Sequence, residues 1–164
     1  DSGRVFVGGH SSGGHLCAVA LTTDWPRDFG LPADMLKGGL LMSGVFDMRP
    51  VRLAKRDPFV RFTDEIEQAM SPQRHLALLR APVMITCGGD ETPEFLQQNR
   101  EFFAAVKAAG HSAELIEVAN FNHMDMLESL ANPYGPNGRA ALALMRLSSG
   151  IAGGAARQAS DDRG

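Results

Sequence analysis

Val5-Phe6-Val7-Gly8-Gly9-His10-Ser11-Ser12-Gly13-Gly14-His15-Leu16 decides the fold. A short apolar run of β character breaks into a glycine-framed turn and restarts as a helix, with one serine at the apex. The spacing G-x-S-x-G is met by Gly9, Ser11 and Gly13. In a sharp strand-to-helix turn these glycines are expected to leave room that Cβ atoms would fill beside a reactive serine. Ser12 fails the same test, because a motif centred on it needs glycine where the chain has His10. Its backbone N–H is instead the first after the apex, placed to meet a developing oxyanion at the positive end of the helix. An ordinary Gly/Ser-rich turn and a phosphate cradle compete with this reading. A phosphate loop, however, needs Lys followed by Ser or Thr, and this turn has no such pair.

A serine becomes a nucleophile only with a base and an acid beside it. In a strand-elbow-helix fold they follow the serine in the order acid, then histidine. The acid candidates are Asp90 and Glu91, at the end of Ala81-Pro82-Val83-Met84-Ile85-Thr86-Cys87-Gly88-Gly89, an apolar run that reads as a strand. Glu91 is nearer the helix turn, whereas Asp90 has the commoner side chain for the role. Thr92 is the expected N-cap and Pro93 the expected first residue of the next helix. Phe95, Phe102, Phe103 and Val106 share one face of that helix, and Gly110 stops it. His123 lies just past another strand-like run that begins near Glu114. Both loops fall where an open parallel sheet collects its chemistry, at the carboxyl ends of strands.

Taken in order, a set of short motifs resembles the kynurenine formamidase (arylformamidase) branch of the α/β-hydrolases. They are GHSSGGHL at 9–16, DWP at 24–26, SGVFDMRP at 43–50, SP at 71–72, GGDETPEF at 88–95 and NH at 122–123. The family often has Ala at the place of Ser12. The resemblance implies an α/β-hydrolase fold, a mostly parallel sheet flanked by helices. Similar hydrolases carry the acid three residues after the strand-ending glycine and just before a Ser/Thr-Pro-Glu-Phe helix start. That implies Glu91 as the acid, with Asp90 in reserve, beside Ser11, His123 and the oxyanion donor Ser12.

The chemistry implied is that of a serine hydrolase. His123 takes the Ser11 proton, Ser11 attacks a carbonyl, and the acid orients the imidazole. The implied substrate is an N-formyl arylamine such as N-formylkynurenine, an intermediate of tryptophan catabolism, which would release formate. A broader carboxylesterase with the same triad is the alternative, and a catalytically incompetent fragment is a third reading. No cofactor is expected.

Composition narrows the classes further. The chain has 164 residues and a formal net charge of −3, with Lys and Arg scattered. The expectation is one domain, spanning residues 1–149, and no nucleic-acid partner. Cys17 and Cys87 fall in apolar segments and read as small buried hydrophobes in a reducing compartment. No apolar stretch is long enough to span a bilayer and no signal-peptide pattern opens the chain, so the expected location is cytoplasmic. His10 and His15 are not spaced as a zinc pair, His111 sits in a loop after Gly110, and His75 in a surface turn, so no metal is expected.

Four parallel strands are expected near residues 4–8, 38–43, 82–87 and 114–118. Val51 to Met70 reads as short helices beside the pocket, where Phe59 and Phe62 either pack in the core or meet an aromatic substrate. A last helix is expected over roughly 137–149, followed by a disordered tail over 150–164, which is too poor in apolar surface to order. The chain starts at Asp1 and enters the first strand within a few residues, whereas α/β-hydrolases place several strands and an HGGG-type loop before the elbow. The expectation is therefore the C-terminal portion of such a fold, with one of its two oxyanion donors and feeble activity. The first strand would lie at an edge and favour self-association, as a homodimer or as aggregates.

Overall fold

The computed structural model describes residues 3–54 and 62–147. Its elements run β1 (Val5–His10), α1 (Ser12–Leu21), α2 (Trp25–Phe29), β2 (Leu36–Met42), α3 (Arg49–Leu53), α4 (Asp64–Ala69), β3 (Val83–Gly88), α5 (Pro93–Ala108), β4 (Ala113–Val118), α6 (His123–Glu128) and α7 (Pro136–Leu144). The strands form one sheet in the order β1-β2-β3-β4, and every pairing is parallel. Each of the four expected strands is present, within two residues at either end.

A sheet whose strands add in sequence order with right-handed crossovers places the crossover helices on one face. The packing follows that rule. One apolar cluster joins Ala18 and Leu21 of α1, Phe102 and Val106 of α5, and Leu41, Val83 and Ile85 of the sheet. Within it Phe46 stacks on Phe102 at 4.1 Å. The alternate residues Leu40, Met42 and Met84 point to the other face and meet Ala140 of α7. Strand side chains alternate between faces, so β2 and β3, covered on both, are apolar at nearly every position. β1 and β4 lie at the two edges and are only partly covered.

Several expectations change on contact with this packing. Thr92 occupies the N-cap position of α5, but its hydroxyl makes no capping bond. The last helix ends at Leu144, and the expected tail lies outside the described residues. Val51 to Met70 does contain short helices, α3 and α4, while Phe59 lies outside the described residues. Phe62 is half-buried and joins neither apolar cluster, so it is no core residue. Cys87 is buried but Cys17 only partly so, and burial drives both thiols up, that of Cys87 to about 12. His75 sits between two short 3-10 turns with its Nε2 2.8 Å from the Gln68 carbonyl oxygen. No described helix is long and apolar enough to cross a membrane.

Candidate active site

The elbow forms where the glycine spacing places it. Ser11 links β1 to α1 with φ 58° and ψ −118°, a backbone conformation that L-residues rarely adopt and that persists only where the surroundings impose it. Its N–H donates to the Met42 carbonyl oxygen at 2.9 Å, tying the turn to the neighbouring strand, and its own carbonyl accepts from His15 N–H at 3.1 Å. A Cβ on Gly9 would lie 2.4 Å from the carbonyl carbon and oxygen of Gly13, so glycine is obligatory there. Gly13 itself is different, because a Cβ built on it meets nothing within 4 Å. The tightness read into both motif glycines belongs to Gly9 and to Gly14, where a Cβ would press on the Met42 carbonyl oxygen at 3.0 Å.

Ser12 is exposed and opens α1, so its N–H is among the first-turn donors that have no partner inside the helix. No acidic residue sits in that turn. Its positive end is therefore open to an anionic oxygen.

The acid loop and the histidine loop clasp each other. Gly89 N–H donates to the Val118 carbonyl oxygen at 2.8 Å and Asp90 N–H to that of Phe121 at 3.0 Å. A Cβ on Gly88 would sit 2.2 Å from the same Phe121 oxygen, so the loops close only over glycine. Beyond the clasp, Asn122 caps α6. Its side chain accepts from Met124 N–H at 2.8 Å and Asp125 N–H at 3.2 Å, while Asp125 Oδ2 accepts the Asn122 N–H at 2.9 Å. This reciprocal box fixes the start of α6 and hence His123, its first residue.

Glu91 is turned inward, its side chain fully buried, and its Oε2 lies 2.9 Å from His123 Nδ1. Oε1 accepts from Gly88 N–H at 2.8 Å and from the Ser43 hydroxyl. A buried carboxylate is tolerable only when its lone pairs are met in this way. Asp90 is exposed. The structure thus brings Glu91 to His123 and leaves Asp90 in solvent. A carboxylate on Nδ1 fixes the tautomer that frees Nε2 as a base. Among the described residues no hydrogen bond joins Ser11 Oγ to His123.

Ser43 was assigned no role in the sequence, though it lies inside one of the motifs. It follows β2 with φ 51° and is fully buried. Its N–H donates to the Thr86 carbonyl oxygen at 2.7 Å. The loop it starts is clamped by α5: Gln98 Oε1 accepts from Phe46 N–H at 2.9 Å and Asp47 N–H at 3.0 Å, and Asn99 Nδ2 donates to the Gly44 carbonyl oxygen at 3.2 Å. Buried Gln98 and Asn99 within an otherwise apolar helix face were the available signal. The other missed residue is His10, whose ring lies 4.4 Å from that of His123.

With this geometry in hand, likeness to known proteins carries weight. No family model matches the chain. It is 29% identical over 133 residues to the kynurenine formamidase of Danio rerio, covering 78% of this chain and 45% of that protein. It is 28% identical over 134 residues to the kynurenine formamidase of Salmo salar, with the same coverage. The chain thus spans about half the length of the curated relatives it matches. Among solved structures it superposes on carboxyl esterase 2 of the mycorrhizal fungus Tuber melanosporum with a TM-score of 0.60 at 20% identity, over 89% of this chain and 54% of that one. The fold is that of the α/β-hydrolases, of which the chain matches a part, and the resemblance to kynurenine formamidases holds over most of its length.

Proposed function

We propose that the chain is the part of a serine hydrolase that carries its catalytic triad, and that the enzyme cleaves the formamide of an N-formyl arylamine such as N-formylkynurenine. The observation that carries the hydrolase reading is the buried Glu91 carboxylate on His123 Nδ1 at 2.9 Å, at the same end of the sheet as the strained Ser11. The likeness to kynurenine formamidases supports the substrate class.

In the first half-reaction His123 Nε2 takes the Ser11 Oγ proton as the oxygen attacks the formyl carbon. The charge that develops on the formyl oxygen faces the Ser12 N–H and the positive end of α1. The C–N bond then breaks, the amine leaves with the proton from His123, and Ser11 carries a formyl ester. In the second half-reaction His123 deprotonates a water that attacks this ester, and formate leaves as Ser11 regains its proton. Glu91 holds the imidazole in its working tautomer throughout.

The test is release of formate from N-formylkynurenine set against hydrolysis of a simple aryl ester, with Ser11→Ala as the control. Formamide turnover that disappears in Ser11→Ala supports the proposal. Ester turnover without formamide turnover moves the assignment to a carboxylesterase, and hydrolysis that survives Ser11→Ala removes Ser11 from the mechanism.

A further inference from the structure

His10 closes β1, immediately before Ser11, and the triad does not use it. Its Nε2 lies 2.7 Å from the backbone carbonyl oxygen of His123. A carbonyl only accepts, so this nitrogen must carry the proton. The His10 ring centroid lies 4.4 Å from that of His123 at a tilt of 46°, and Phe95 of α5 stands at the same distance at a tilt of 38°. The His123 imidazole is therefore touched by two rings, one of which also grips its own main chain.

We propose that His10 is a positioning residue for His123: its Nε2–H pins the backbone at the start of α6, and its ring, with that of Phe95, holds the imidazole in the rotamer that meets Glu91. The inference rests on His123 acting as the base described above. It also requires His10 to stay neutral, because a second cation beside His123 would oppose the imidazolium formed when Ser11 gives up its proton. The environment favours this. Burial foremost, and then the neighbouring His123, push the His10 imidazole below its ordinary value, while its bond to the His123 carbonyl and the Glu91 carboxylate act the other way. His123 and Glu91 are the titratable groups that face it, and the Ser43 hydroxyl and Phe95 around them carry no charge.

A role in packing alone would leave the tautomers and protons of these rings free to vary, so they are the readout. The experiment uses long-range ¹H–¹⁵N spectra of the full chain with labelled histidine, through a pH titration. His10 is expected as the neutral Nε2–H tautomer near neutral pH, and His123 is expected to hold a protected proton on Nδ1. In His10→Ala the Nδ1 proton of His123 should exchange with solvent about tenfold faster, as for the loss of one net hydrogen bond; in His10→Gln, whose amide can still donate to the carbonyl, exchange should stay within about threefold of the parent.

His10 bare at Nε2 overturns the proposal in the unmodified protein, whether or not the alanine variant folds. Exchange in a folded His10→Ala within about twofold of the parent overturns it as well. Labelling of Ser11 by a fluorophosphonate reads the hydrolase assignment separately. A chain that never labels sinks that assignment, and the tautomer and exchange data still decide His10.

Discussion

Replacing Glu91 by Gln changes one oxygen for an NH₂ in a fully buried side chain, and the structure dictates where the NH₂ goes. The carboxylate receives three donors: Gly88 N–H and the Ser43 hydroxyl on Oε1, and His123 Nδ1 on Oε2. Turning the NH₂ toward Gly88 sets two buried donors against each other, at about 1–3 kcal/mol. The carboxamide oxygen therefore stays with Gly88 and Ser43, and the NH₂ faces His123. The imidazole must answer with a bare Nδ1, which moves its proton to Nε2. A protonated Nε2 cannot take the Ser11 proton. The fold survives and catalysis fails, by about 10⁴-fold in the chemical step, or about 5.4 kcal/mol of transition-state stabilisation. Asp90→Asn, altering an exposed side chain, should stay within about twofold. The assay is the rate of Ser11 phosphonylation by a fluorophosphonate, followed by mass spectrometry from minutes to days, with formamide turnover beside it. A loss below about tenfold in a folded Glu91→Gln, or an equal loss in Asp90→Asn, refutes the reasoning.

The two motif glycines should part company in a denaturation experiment. Gly9→Ala forces a Cβ to 2.4 Å from Gly13 and should destabilise by about 1–3 kcal/mol or more, whereas Gly13→Ala, in open space within a helix, should be neutral or stabilise by up to about 1 kcal/mol. Similar losses in both would show that the turn is not packed as described. The Cys87 thiol, held up at about 12 chiefly by burial, should resist iodoacetamide at about pH 8 in the folded chain and react once urea unfolds it. Rapid native alkylation would place it at the surface. Since the folded thiol holds its proton longer than the unfolded one, its contribution to stability is intact below the ordinary thiol range and declines as pH rises from there toward about 12.

What the sequence made legible was whatever local pattern alone determines. Runs of strand character marked all four strands, and the glycine spacing singled out Ser11. Choosing between Glu91 and Asp90 was harder, because adjacent residues differ only in direction. That direction is set by the clasp between Gly88 and Phe121, a long-range contact. Ser43 and His10 were missed for the same reason: each acts on a residue far along the chain, Ser43 on Glu91 and His10 on His123. Gly13 was misjudged because a motif spacing does not say which glycine's Cβ would meet a neighbour. Thr92 was expected to cap α5, but its hydroxyl makes no capping bond. Phe62 was placed from its hydrophobicity alone, and half-exposure shows how little that decides.

The grip of Gln98 and Asn99 on residues 44–47 bears on how heat would inactivate the protein. α5 begins just after Glu91 and buries Phe102 and Val106 in the main apolar cluster. Lifting the loop after Ser43 therefore breaks three hydrogen bonds to a helix that is itself anchored in that cluster. On warming, the acid and its serine partner are therefore expected to stay registered for as long as α5 keeps its place on the sheet.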